Sequence, residues 1–434
     1  AINLSFVEAH VEGFAAAFEA ARSVGSIPKV AQVCGVPESE VSEFFRLFAR
    51  TERTVTIFSQ GINQSSSGVD KANAIINVHL ATGRIGKLGM GPFSVTGQPN
   101  AMGGREVGGL ANQLAAHLDF SDAASINLVE RFWNAPNIAQ APGLKAVDMF
   151  QAIADKKIKA VWIMGTNPVV SLPDADKVRA ALLDCVLVVV SDCVEHTDTT
   201  ACADILLPAQ GWGEKDGTVT NSERRISRQR SLLNAVGEAK PDWWIITQVA
   251  KCMGFAEAFP YTKAAQIFSE HAQLSGFEND GKRAFDISAL ATLSDAEYDT
   301  LQPTQWPINS DSPNGTTRLF TDGKFFTPNG KARMVAVTPQ LPAVSVDANF
   351  PLVLNTGRIR DQWHTMTRTG KVPRLNAHVF EPFVQVQASD AQLYQLQDKG
   401  LAKLTSRHGS MLARVQVSED QRLGSVFVPM HWND

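Results

Sequence analysis

The residues Leu352-Val353-Leu354-Asn355-Thr356-Gly357-Arg358 lead directly into the polar run Asp361-Gln362-Trp363-His364-Thr365-Met366-Thr367-Arg368, so an apolar strand delivers the chain into a dense polar loop. That composition has the chemistry of an anion site. A strand end presents free backbone N–H groups, Gly357 admits a close backbone approach, and Arg358 and Arg368 carry planar forks that match phosphate oxygens. A hairpin turn with solvated arginines has the same composition, and the loop alone leaves both readings open. A second cluster runs from Trp212 through Glu214, Lys215, Asp216 and Gly217 to Asn221, Arg224 and Arg225. Lys215, Asn221 and the two arginines suit another anion, while a solvated Asp-Gly hairpin explains them as well. The third cluster, Gly97-Gln98-Pro99-Asn100-Ala101-Met102-Gly103-Gly104-Arg105-Glu106-Val107-Gly108-Gly109, packs five glycines into thirteen positions. An arginine on so tight a path either points its charge into a pocket or pairs internally with Glu106.

Other motifs exclude chemistry. Gly83-Arg84-Ile85-Gly86-Lys87-Leu88-Gly89-Met90-Gly91 resembles a phosphate loop, but Leu88 stands where Ser or Thr would bind magnesium, and the run trails a helix, so it reads as a glycine-rich turn. No G-x-G-x-x-G opens a strand–helix unit, so ordinary NAD binding is not supported. The five cysteines, Cys34, Cys185, Cys193, Cys202 and Cys252, include no C-x-x-C pair, which suits reduced thiols in the cytoplasm and leaves no complete cysteine motif for an iron–sulfur cluster. The nine histidines show no H-E-x-x-H spacing, so no protein metal ligands are assigned.

These clusters need elements to position them. At 434 residues, with 44% hydrophobic and 19% charged residues, the chain is long enough for about three domains of ordinary globular composition. A net charge of −4 without basic runs argues against nucleic acid or a membrane surface as partner, and no apolar run approaches the ~20 residues of a bilayer span. Apolar spacing predicts helices over 5–23, after Pro37, and over 69–80, with a buried strand at 54–58. Strands at 158–164, 185–190 and 204–207, with a helix over 174–183, imply a parallel, doubly wound sheet whose ligands sit beyond the strands' carboxyl ends, where Thr166, Asn167, Ser191 and Asp192 lie. Asp192 suits a ribose or guanine N–H, or a helix N-cap. Short strands with turns at Gly400, Gly409 and Gly424 have the texture of a small β-barrel. The expected fold class is therefore α/β, with doubly wound parallel-sheet domains followed by a C-terminal β-barrel. The expected domains are a partial α/β domain with the arginine loop at 1–110, a second, dinucleotide-binding-like α/β domain at 111–300, an irregular connection at 301–345, and an incomplete barrel at 346–434.

Five blocks in order carry a resemblance: Gly61-Ile62-Asn63-Gln64, 96–109, 212–228, Pro241-Asp242-Trp243-Trp244, and 354–369. With them the chain resembles the molybdopterin oxidoreductases that hold molybdenum on two guanine dinucleotides, and it is similar above all to the catalytic subunits of prokaryotic assimilatory nitrate reductases. The resemblance implies that Gln64, Asn167, Ser191, Asp192, Lys215 and Asp242 contact the dinucleotides. It further implies that Thr356, Gly357, Arg358, Trp363, His364 and Thr365 wrap a pyrophosphate and a pterin edge, and that Trp432 and Asn433 open the last cofactor-contacting segment. Arg105 is implied to draw in nitrate, with Met102 shaping the pocket.

The implied reaction is molybdenum-dependent reduction of nitrate to nitrite by oxygen-atom transfer, with ferredoxin, flavodoxin or an NADH-linked reductase subunit as electron donor. A formate dehydrogenase of the same superfamily and a catalytically silent structural subunit are the alternatives. The family's four-cysteine motif for a 4Fe–4S cluster and its protein ligand to the metal do not fall within these residues, so the chain reads as the central and C-terminal part of a longer polypeptide.

Overall fold

The computed structural model of the chain describes residues 1–432. It consists of two compact units, each discontinuous in sequence: 1–143, 215–231 and 249–343 in the first, and 144–214, 232–248 and 344–434 in the second. Among the described residues no helix is long and apolar enough to cross a membrane.

In the first unit the helix expected over 5–23 is two helices, Leu4–His10 and Phe14–Ser23, separated by the strand Val11–Glu12. The break falls at Gly13, whose φ of +80° is left-handed and whose added Cβ would lie 2.4 Å from the Met334 carbonyl oxygen. Only glycine allows both. The two-residue strand pairs in parallel with Ala332–Arg333, far along the chain, which is why local periodicity missed it. Helix Glu38–Arg50 follows Pro37, with Glu38 and Glu40 in its first turn and Arg50 in its last, an arrangement that complements the helix dipole.

Val55–Phe58 forms the expected strand and pairs in parallel with Gly91–Ser94 across the helix Gly68–Ala81. It is not buried, however: Val55 and Ile57 face solvent, and among the described residues the sheet has two strands. The unit's main core gathers Val129, Phe268, Leu274, Phe285, Ile287, Trp306 and Ile308, with Ile226 of the hairpin Gly217–Thr220/Arg225–Gln229 packed among them.

In the second unit, β1 (Ala160–Met164), β2 (Leu187–Asp192) and β3 (Ile205–Pro208) form a parallel sheet in the order β1-β2-β3. Helix Ala175–Leu183 covers it, with Val178, Ala181 and Leu182 packed on Ile163, Val188 and Val190. The parallel sheet is as expected, but the strand order simply follows the chain, so this sheet has no reversal of the kind that defines double winding.

The C-terminal strands are β4 (Val353–Gly357), β5 (Phe383–Val386), β6 (Leu401–Thr405), β7 (Ser410–Val417) and β8 (Ser425–Pro429). They lie in the order β4-β8-β5-β7-β6, with β4–β8 and β5–β7 parallel and the other pairs antiparallel. The alternation of buried and exposed positions is that of a sheet covered on one face, where Val384, Val386, Ala413, Val415, Val426 and Val428 form the core. The barrel expected from the strand spacing is not closed among the described residues: β4 and β6 are the edges of an open sheet. Short strands with glycine turns are shared by both architectures, and only the pairing separates them.

Candidate functional site

In the second unit β1 and β2 run in register with Met164 opposite Ser191, and the Gly165 N–H donates to the Ser191 carbonyl at 2.8 Å. Gly165, Thr166 and Asn167 therefore leave the sheet at the same carboxyl edge as Ser191 and Asp192, as parallel neighbours must. Their side chains are engaged locally. The Ser191 hydroxyl accepts the Trp162 indole N–H at 2.8 Å, and the Asp192 carboxylate accepts the Val194 N–H at 3.0 Å. Buried Asn167 accepts the Thr199 hydroxyl at 2.7 Å and donates to the Thr367 hydroxyl at 3.2 Å, and Thr367 in turn bonds Thr365 at 2.7 Å. Asn167 is thus a strut between the β1 end and the polar loop that follows β4.

That loop differs from its expected design in two ways. A Cβ on Gly357 would lie 2.9 Å from the Phe427 ring, so the aromatic side chain of the neighbouring strand is by itself a reason for glycine there. Arg368 donates to the Cys193 sulfur at 3.0 Å, so one of the two expected forks is turned to a thiol. Arg358 is exposed, and among the described residues its side chain has no hydrogen-bond or ion-pair partner. Arg360 instead pairs with Asp361 at 2.9 Å, which also takes His378 at 2.8 Å.

The loop backbone is unusual: His364 and Met366 have φ of 32° and 54°, left-handed values that cost non-glycine residues of the order of 1 kcal/mol each. The Trp363 N–H is held by the Thr369 hydroxyl at 3.1 Å, and buried Gln362 donates to Asn376 at 2.8 Å. Buried His431 donates from Nδ1 to the His364 carbonyl at 2.7 Å and accepts the Ile359 N–H on Nε2 at 3.0 Å. Burial pushes its imidazole below the usual range. Thr356, Trp363 and His364 are exposed, and Thr365 and Trp432 are half-buried. Asp242 opens the helix Asp242–Cys252, and Asn433 lies outside the described residues.

In the first unit, helix Ala101–Glu106 carries Met102, which packs on the core, and Arg105, which is exposed. The internal Arg105–Glu106 pair considered from sequence does not form. Both Glu106 oxygens are taken, one by the Thr220 hydroxyl at 2.8 Å and the other by the Trp306 indole N–H at 2.7 Å. Burial drives the Glu106 carboxyl up to about 7 against the pull of those two bonds. Beyond it, His117 and His271 are both held below the ordinary histidine range, first by burial. Arg105 adds its repulsion at His117, and His271 falls to about 4.

The second expected anion cluster is consumed internally. Arg224 donates to the Trp306 and Thr316 carbonyls and lies over the Trp306 ring, and Arg225 pairs with Glu223 at 2.9 Å. Asn221 accepts the Glu223 and Arg225 backbone N–H groups. Arg228, its side chain 3% exposed, bridges Asp216 at 2.5 Å and Asp299 at 3.1 Å over the Tyr298 ring. These guanidinium groups brace the hairpin. Half-buried Lys215 precedes it, and Gln64 is exposed just past the short helix Gln60–Asn63.

Thr199, Thr367 and His431 were not singled out from sequence, and Glu106 was weighed only as a partner of Arg105. The available signal for His431 was a histidine closing an apolar strand between Met430 and Trp432.

This open-sheet α/β architecture, with its polar loop at the strand ends, defines a class. The chain belongs to the molybdopterin oxidoreductase family, whose description matches residues 16–252, and residues 352–434 match the Molydopterin dinucleotide binding domain. A nitrate reductase of Klebsiella oxytoca is 54% identical over 408 residues, covering 94% of this chain and 46% of that protein. A nitrate reductase of Shewanella frigidimarina is 45% identical over 457 residues, covering 100% of this chain and 48% of that protein. The F420-dependent formate dehydrogenase subunit alpha of Methanocaldococcus jannaschii is 33% identical, covering 99% of this chain and 60% of that protein. Among solved structures, the acetylene hydratase of Pelobacter acetylenicus shares the fold with a TM-score of 0.69 at 17% identity, over 99% of this chain and 61% of that one. The chain spans about half the length of the nitrate reductases it matches.

The residues present fit a dinucleotide. Exposed Arg358, the exposed Thr356 and Thr166, and half-buried Thr365 each carry a donor of the kind that suits phosphate and sugar oxygens. Gly165, with φ of +61° and open space where a Cβ would stand, leaves its surroundings accessible. Among the described residues no group of three His, Cys, Asp or Glu converges to hold a metal ion.

Proposed function

We propose that this chain forms part of a molybdenum enzyme that reduces nitrate to nitrite, binding a share of a bis(molybdopterin guanine dinucleotide) cofactor. The observation that carries this reading is the 54% identity to a nitrate reductase across nearly the whole chain. The exposed Arg358 fork, which has no hydrogen-bond or ion-pair partner among the described residues, supports it from the structure. When bound, the cofactor supplies the two-electron chemistry at molybdenum. The chain's own residues bind and orient. Arg358 and the Thr356 and Thr365 hydroxyls would hold phosphate oxygens, and Ser191, Asp192, Asp242, Gln64, Lys215, Trp363, His364 and Trp432 would supply the remaining contacts to the dinucleotides. Arg105 balances the charge of nitrate, and Met102 supplies an apolar wall. In this reading a 4Fe–4S cluster and the metal's protein ligand come from residues other than 1–434, and electrons arrive from ferredoxin, flavodoxin or an NADH-linked subunit.

Formate dehydrogenase subunits among the relatives supply the second reading. One experiment on the full-length protein separates them: its molybdenum content, nitrite formed with reduced viologen, and dye reduction by formate. Molybdenum with nitrite formation is expected. Formate-dependent turnover without nitrite overturns nitrate as substrate, and absence of molybdenum overturns the enzyme.

A further inference from the structure

The polar loop after β4 holds a conformation that it does not favour by itself, since His364 and Met366 sit at left-handed φ. Such backbone persists only where its surroundings determine it. Here a single ring does much of that work. His431, 2% exposed just beyond β8, bonds the loop with both of its nitrogens: Nδ1 to the His364 carbonyl at 2.7 Å, and Nε2 to the Ile359 N–H at 3.0 Å. An imidazole that donates from Nδ1 and accepts on Nε2 is the neutral Nδ1–H tautomer and no other form. Ile359 adjoins Arg358, the loop cation that has no protein partner among the described residues.

We infer that His431 is the positioning residue of this loop, a neutral clamp on Ile359 and His364 that presents Arg358 to a phosphate-bearing ligand. The ligand part of this inference rests on the function proposed above, and the clamp itself does not. No other side chain supplies both bonds from this position. Gln reaches as far as Nε2 and can accept from Ile359, Asn reaches only as far as Nδ1 and can donate to His364, and Phe fills the space with neither.

The test uses the whole protein as His431→Phe, His431→Gln and His431→Asn. Three quantities are read: hydrogen exchange over 358–366, molybdenum and guanine nucleotide per protein after acid release, and the ring ¹⁵N shifts of His431 in the unsubstituted protein. The shifts should show the Nδ1–H tautomer, and an Nε2–H tautomer or an imidazolium at neutral pH overturns the clamp. In His431→Phe, exchange over 358–366 should rise about tenfold with the rest of the unit unchanged, and molybdenum and guanine should fall by about tenfold. Gln and Asn, each keeping one bond, should fall between. If the Phe variant does not fold, the Gln and Asn variants decide, and loading equal to the unsubstituted protein in both overturns the inference. An unsubstituted protein without molybdenum or guanine refutes the proposed function instead, and the exchange and tautomer measurements still judge the clamp.

Discussion

Glu106 accepts the indole N–H of Trp306 at 2.7 Å across 200 residues of chain, and this bond joins the helix that carries Arg105 to the core of the first unit. The carboxyl is pushed up to about 7 by burial. A raised carboxyl pKa means that the folded state holds its proton more tightly than the unfolded one. The resulting stability is present below the unfolded value near 4.5 and is lost as pH rises through about 7. The magnitude is of the order of 3 kcal/mol. The half-buried histidines His117 and His271 act with the opposite sign, since their lowered values cost stability as pH falls below about 6.5. We expect Glu106→Gln to gain stability relative to the unsubstituted protein at pH 8 and not at pH 4.5. Urea midpoints at the two pH values measure this difference, and parallel curves would refute it.

Arg105→Lys keeps the charge and removes the fork. Apparent nitrate affinity should fall by about tenfold while molybdenum content is unchanged. Steady-state nitrite formation against nitrate concentration reads the KM. Unchanged kinetics would make Arg105 a surface residue of the helix and nothing more.

Two arginines should respond in opposite ways to truncation. Arg228 lies between Asp216 and Asp299 over the Tyr298 ring, so Arg228→Ala should cost about 2 kcal/mol, after allowing for the solvent exposure of both carboxylates. Exposed Arg358 has no such partners among the described residues, so Arg358→Ala should leave the thermal midpoint in place and lower the guanine nucleotide recovered with the protein. Thermal unfolding beside nucleotide analysis distinguishes the two residues, and a midpoint loss in Arg358→Ala would show that it braces the loop.

Gly357→Ala places a methyl 2.9 Å from the Phe427 ring and should destabilise the protein by about 1–2 kcal/mol. Phe427→Leu opens that space, so the double variant should recover part of the loss. A cost in Gly357→Ala that Phe427→Leu does not relieve would point back to a ligand as the reason for the glycine.

What was legible in the sequence was local. The alternation at Val384 to Val386 and the apolar runs around Ile163 and Val188 have the period of strands, and the strand–helix–strand order placed Asn167 and Ser191 on one edge of the sheet. What was not legible depends on partners distant in sequence. Gly13 breaks a helix because Met334 crosses it, and Glu106 pairs with Trp306 instead of with adjacent Arg105. Composition around Arg224 and Arg228 says that cations are present but not that carbonyls and carboxylates of the same unit already surround them. The barrel, expected to be incomplete, is an open sheet among the described residues, and this too was beyond local reading, since spacing reports strands and only register reports closure.

The strand order β4-β8-β5-β7-β6 sets the last strand against the first. During synthesis β4 leaves the ribosome with its pairing edge bare, and the ring that fixes its loop follows 72 residues after Ile359. At about 5–20 residues per second that is an interval of several seconds. Throughout it the loop has its arginine but no clamp. The pairing of β4 with β8 and the two bonds of His431 to the loop can therefore form only once the last of these strands has been made.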